Sequence, residues 1–162
     1  MNDVMLKGNI RALLGEYRKA LDELVDVIQP LSTEQLSKIV DTETKDPDCI
    51  SVQNILTHVV SSGYGYTVYM EKHLGLETER PKRKKFTEAQ LYIEQLYGMF
   101  AYCENFFLQH PNVKIEETNP NKKILTNWGQ QFDIDQLMEH AIVHILRHRR
   151  QIERFIAEMS VH

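Results

Sequence analysis

Cysteine is scarce in this chain, and what there is excludes a disulfide framework. Cys49 and Cys103 are the two thiols among 162 residues. They stand far apart with no CxxC spacing, so a zinc knuckle is excluded as well, and reduced thiols in the cytosol are expected. Long apolar runs are also missing. Charges interrupt every apolar stretch of the opening segment MNDVMLKGNIRALLGEY, which therefore lacks the h-region of a signal peptide. No later stretch approaches the ~18 consecutive apolar residues of a membrane span. A cytoplasmic protein without a membrane partner is the expectation. Neither sign of charge dominates: 19 basic and 23 acidic residues give a net charge of −4, scattered so that no face offers itself to a phosphate backbone. Nucleic acid is not an expected partner. The one basic cluster, Arg80 to Lys85 with Pro81 inside it, reads as a solvated loop, having too few charges and no interleaved aromatics for a binding patch. Internal repeats, low-complexity tracts and βαβ alternation are absent too.

What the chain does have is helical period, in a length and a 42% hydrophobic content suited to one domain, 1–162, with one covered core. Leu6, Ile10, Leu13, Leu14, Tyr17, Leu21, Leu24, Val25 and Ile28 recur at three- and four-residue spacings, the period of one helix face, and Pro30 ends the run. Ser32 and Thr33 precede a brief second helix through Leu36, Ile39 and Val40, followed by a loop from Asp41 to Cys49. Ser51 can cap a longer helix carrying Val52, Ile55, Leu56, Val59, Val60, Tyr66 and Met70, with Gly75 placed to stop it. Thr87 and Gln90 form a capping-box pattern ahead of an aromatic-rich helix that reaches Pro111. Between Pro111 and Phe132 the period lapses, and Asn119-Pro120-Asn121 lies between two β-tolerant stretches, which predicts a long loop or a small hairpin. Asp133 and Gln136 supply a second capping box, and Leu137 to Met159 is the strongest helical pattern in the chain. Four main helices joined by reversing loops predict an all-α four-helix bundle.

The last helix carries the chemistry. At 100° per residue from Leu137, its apolar residues Leu137, Ala141, Ile145, Ile152, Phe155 and Met159 span about 80° of arc. His148 falls within that arc and His144 about 20° outside it, whereas Arg149, Arg150, Glu153 and Arg154 fall on the outer side and His140 and Arg147 at the boundary. Histidines four residues apart lie about 6 Å from each other along the axis, so His144 and His148 can converge on one ion. A third donor is available from another helix: His58, at the edge of its apolar stripe beside Ser62 and Gly65, whose small side chains leave room for a cavity. Three imidazoles with an open fourth position are the pattern of a catalytic metal site. The residues alone leave a second reading open, in which the histidines are hydrogen-bonded packing residues. Tyr64, Tyr66, Tyr69 and Trp128 carry the same two readings, pocket wall or core. His73, His110 and His162 fall near helix or chain ends and receive no chemistry.

The stretch His144-Ile-Leu-Arg-His148-Arg149-Arg150-Gln151-Ile152 resembles the last-helix HxxxHRxQ signature of the DinB/YfiT-like superfamily. Ile55-Leu56-Thr57-His58-Val59 resembles that superfamily's single-histidine motif. Helix order and length agree over nearly the whole chain, although only these two motifs are specific. The resemblance implies a four-helix bundle holding a divalent ion, often zinc or nickel, through one histidine of the second main helix and two of the last, here His58, His144 and His148. It also implies relatedness to thiol S-transferases that use bacillithiol, mycothiol or glutathione, and to a maleylpyruvate isomerase, and it implies a homodimer. Two departures stand out: Arg150 replaces a common glycine, and Cys49-Ile50 stands where a tryptophan often precedes the second main helix. The expected function is a metal-dependent thiol transferase acting on a small molecule, with a low-molecular-weight thiol as co-substrate and Gln151 or a backbone carbonyl orienting a ring. A metal hydrolase on the same site and a non-catalytic stress or ligand-binding protein are the alternatives. No general base can be named.

Overall fold

The computed structural model describes residues 5–161, so His162 lies outside the described residues. Helix α1 spans Gly8–Ile28, the short α2 Thr33–Ser37, α3 Val52–His73, α4 Ala89–Gln109 and α5 Ile134–Ser160. A two-stranded antiparallel sheet, β1 Ile124–Leu125 and β2 Gln131–Phe132, lies between α4 and α5. The all-α class and the four main helices are as the periodicity predicts, and the lapse before α5 does contain a small hairpin.

Helix α1 packs on α4 and α5, and α3 packs on the same two. The four long helices therefore form a closed ring in which α1 faces α3 across the bundle, and α4 faces α5. Their apolar stripes meet in one core that includes Leu21, Leu24 and Ile28 of α1, Ile55 and Leu56 of α3, Tyr92 and Phe107 of α4, and Ile152 and Phe155 of α5. Each such side chain contributes roughly 1.5–3 kcal/mol of transfer free energy on burial. No helix among the described residues is long and apolar enough to cross a membrane.

Three starts form as their residues dictate. Ser32 and Gln35 close a capping box on α2, Ser51 Oγ accepts from the Asn54 amide on α3, and Asp133 and Gln136 close a capping box on α5. Gly75, at φ 82°, follows the end of α3, in the left-handed conformation that glycine tolerates best. The Asp133 carboxylate accepts the Gln136 amide at 2.8 Å and, through its other oxygen, the Glu117 amide at 3.1 Å. Asp133→Ala is expected to cost about 1–2 kcal/mol in urea denaturation, and no change in the midpoint would show that water replaces both bonds.

Three expectations need correction. The brief helix α2 stops at Ser37, so Ile39 and Val40 lie beyond it, and Ile39 is 58% exposed. The Thr87–Gln90 box does not form: α4 begins at Ala89 after Glu88, without a side-chain cap, because the preceding chain is anchored otherwise. Tyr92 Oη accepts the Phe86 amide at 3.1 Å, and Gln53 Nε2 donates to the Phe86 carbonyl at 2.8 Å. Lastly, the hairpin does not turn at Asn119-Pro120-Asn121, where Asn119 Oδ1 accepts the Asn121 amide and starts a single 3₁₀ turn. It turns at Asn127 to Gly129, where Gly129 takes φ 88° and Thr126 Oγ1 accepts the Gln130 amide at 3.2 Å.

Candidate metal centre

Helix α5 turns His144 and His148 inward as the angular count requires, leaving them 8% and 7% exposed. Helix α3 brings His58 to meet them. His144 Nε2 lies 2.9 Å from His58 Nε2 and 3.1 Å from His148 Nε2. The structure thus brings together all three residues selected from the sequence, and among the described residues they form the one His/Cys/Asp/Glu group whose donor atoms are close enough to hold a metal ion.

The partners of the outer ring nitrogens test whether the group suits a cation. His148 Nδ1 donates to Gln151 Oε1 at 3.0 Å, which leaves the His148 Nε2 lone pair free. His58 Nδ1 lies 3.3 Å from Asp48 Oδ2, though without hydrogen-bond alignment. A proton drawn to that side leaves the His58 Nε2 lone pair facing inward as well. His144 can donate one N–H to only one of these two lone pairs, so three neutral imidazoles leave an acceptor facing a nitrogen with nothing between them. A divalent ion accepts all three lone pairs at once. Two ligands held at ~2.0–2.1 Å in tetrahedral array stand about 3.3 Å apart, close to the two spacings through His144, and the donor atoms of all three lie within 4.8 Å of one another.

Electrostatics favour the same neutral state. Burial pushes all three pKa values below the ordinary imidazole range, and that of His144 falls to about 2, with His148, His58 and His140 adding to the effect. Neutral imidazole is the form that ligates.

The histidines open onto a cavity of about 400 Å³. Tyr66 packs edge-on to His144 with centroids 5.7 Å apart. Trp128, at the hairpin tip, stacks on His140 at 5.4 Å, and the Asn127 amide donates to Tyr69 Oη at 2.8 Å, which pins the hairpin over α3. Tyr66, Tyr69 and Trp128 therefore belong to the pocket wall. Tyr64 instead faces Tyr102, and its ring is not on the wall. His73 and His110 line a separate cleft at the ends of α3 and α4.

Sequence reasoning missed the contribution of two loops. The 3₁₀ turn Pro47–Cys49, started by Asp46 accepting the Asp48 amide at 2.9 Å, packs on α3 and delivers Asp48 to His58 and Cys49 to the cavity wall. Both cysteines are free, as expected, and burial raises their pKa values, that of Cys103 to about 12. The basic cluster is a loop, yet it is not wholly solvated: Arg83 donates to Asp48 Oδ1 at 2.7 Å, and Arg80 and Arg83 both line the cavity. No periodicity or motif signals either loop, because each acts through a tertiary approach to α3. Arg149, placed on the outer side by angle, is partly buried and pairs with Glu23 of α1, while Arg150 is exposed as predicted.

No curated protein and no solved structure matches the chain. A family model, described as the DinB family, matches residues 1–160. With that match covering nearly its whole length and the three-histidine group in place, the chain belongs to the DinB family.

Proposed function

We propose that this protein is a metal-dependent thiol transferase, with zinc or nickel held by His58, His144 and His148 and a small electrophile in the adjoining cavity. The observation that carries the reading is the set of three converging histidine nitrogens on the wall of a cavity, with no fourth protein donor in the group among the described residues. A donor set of three leaves a coordination position for an outside ligand, as catalytic sites do. A divalent ion in such a setting supplies Lewis acidity, lowering the pKa of a thiol or a water so that the nucleophile exists near neutral pH.

The chain's own residues support an outside nucleophile. Burial raises the Cys49 thiol pKa and pushes the Tyr66 hydroxyl up to about 12, so neither is ionised at neutral pH. Gln151 orients the His148 ring, and the Asp48 carboxylate stands 3.3 Å from His58 Nδ1. Trp128 and Tyr66 line the cavity beside the histidines. Gln151→Ala is expected to weaken zinc binding about 10-fold, by freeing the His148 ring. Chelator competition measures this, and an unchanged affinity would remove Gln151 from the site.

The function itself is tested by incubating zinc- or nickel-loaded protein with monochlorobimane and glutathione or bacillithiol. Turnover that requires both metal and thiol is the expected result. Activity on ester or amide substrates that is indifferent to thiol would make the protein a hydrolase. Metal binding with no turnover in either assay would favour the non-catalytic reading.

A further inference from the structure

Three arginines line the cavity, and the ion pairs among the described residues account for one of them. Arg83 is engaged by Asp48. Arg80 and Arg147 have no carboxylate within ion-pair distance among the described residues; Arg80 Nη1 makes one long contact, 3.5 Å, to Ser61 Oγ. Asp46 is the one acidic residue on the same wall. This local positive excess runs against a chain whose net charge is −4.

Arg80 is exposed, and its guanidinium lies against α3. A Cβ at Gly65 would lie 2.6 Å from Arg80 Nη2 and 2.7 Å from its Cζ, so the surface of α3 is cut away where the guanidinium rests. Arg147, also exposed, reaches the same wall from α5, where Tyr66 stands as well. Two guanidinium forks on one cavity wall, neither paired with a carboxylate among the described residues, match an oxyanion. The aromatic wall of Tyr66, Tyr69 and Trp128 suits an organic stem better than a strongly hydrated inorganic ion.

We propose that Arg80 and Arg147 form an anion subsite that takes a carboxylate of the small thiol whose sulfur reacts at the three histidines. The position of the sulfur rests on the thiol-transfer reading above, whereas the carboxylate subsite rests on the arginines alone.

Trp128, the chain's single tryptophan, is 43% exposed on this wall and reports occupancy by its fluorescence. The zinc-loaded full chain is titrated with 3-mercaptopropionate, 2-mercaptoethanol, propionate and inorganic phosphate. The carboxylate thiol is expected to bind at least about 10-fold tighter than the neutral one, as charge-assisted hydrogen bonds require. The advantage should vanish in Arg80→Gln/Arg147→Gln and shrink in Gly65→Ala, which keeps both charges but displaces Arg80. Arg150→Gln, on the outer face, should retain it. Equal binding of the two thiols, or an advantage that survives the double variant, overturns the subsite. Propionate binding that depends on the arginines while no thiol binds supports the subsite and overturns the thiol reading. Phosphate binding tighter than propionate with the same dependence overturns the choice of carboxylate, and no binding of any probe overturns the subsite outright.

Discussion

A His144→Ala variant is expected to bind zinc at least about 100-fold more weakly than the wild type in competition with a chromophoric chelator. His144 is the central member of the group, its Nε2 within 3.1 Å of both others. Losing an outer partner of a ligating histidine ordinarily costs 10–100-fold in affinity, and losing one of three donors must cost more than most such changes. Alanine leaves a void in a helix that is otherwise held by Leu137, Ile145, Ile152 and Phe155, so circular dichroism should report a retained fold. His148→Ala should behave alike. An affinity within a few-fold of wild type would mean that the histidines pack without ligating.

The second large effect is on the metal-free protein. All three histidines have folded pKa values below the ordinary value near 6.5, His144 at about 2. As the pH falls below 6.5 the unfolded chain takes up protons that the folded chain refuses, so stability present at pH 7.5 is lost on acidification. His144 alone should account for about 2 kcal/mol between pH 6.5 and 5.0, and His58 and His148 add to it. Urea unfolding of chelator-treated protein at pH 7.5 and 5.0 measures the loss. His144→Leu, which removes the titrating group but keeps an apolar filler, should flatten the dependence. An equally steep loss in that variant would assign the acid sensitivity to other groups.

The helices and two of the three candidate ligands were legible because both rest on one period. His144 and His148 share the arc of Leu137 and Ile145, so burial of the stripe buries them. His58 was legible less by its angle than by its apolar neighbours Ile55, Leu56 and Val59. Chain reversal was harder to locate. Asn119-Pro120-Asn121 has turn chemistry, yet the hairpin closes at Gly129, since the turn there needs a positive φ and Thr126 Oγ1 bonds both backbone groups of Gln130 across it. Thr87 and Gln90 had the spacing of a capping box, but Tyr92 and Gln53 hold the chain before α4 in another course.

The cavity wall was the least legible part. Asp48, Cys49, Arg80 and Arg83 sit in loops with no period, and what makes them part of the site is the packing of those loops on α3. A basic cluster with a proline inside it looks the same whether or not its arginines line a cavity, as Arg80 does beside Gly65. Charge composition could not resolve this either, since a net acidic chain gives no hint that the cavity beside its three histidines is lined by three arginines.

The central claim is that His58, His144 and His148 hold a divalent ion. Its most direct test is metal content by mass spectrometry of untagged wild-type protein after incubation with zinc or nickel and removal of the excess. The account predicts close to one ion per chain, lost in both His58→Ala and His144→Ala. Wild-type protein that remains metal-free, or variants that keep the ion, would contradict it.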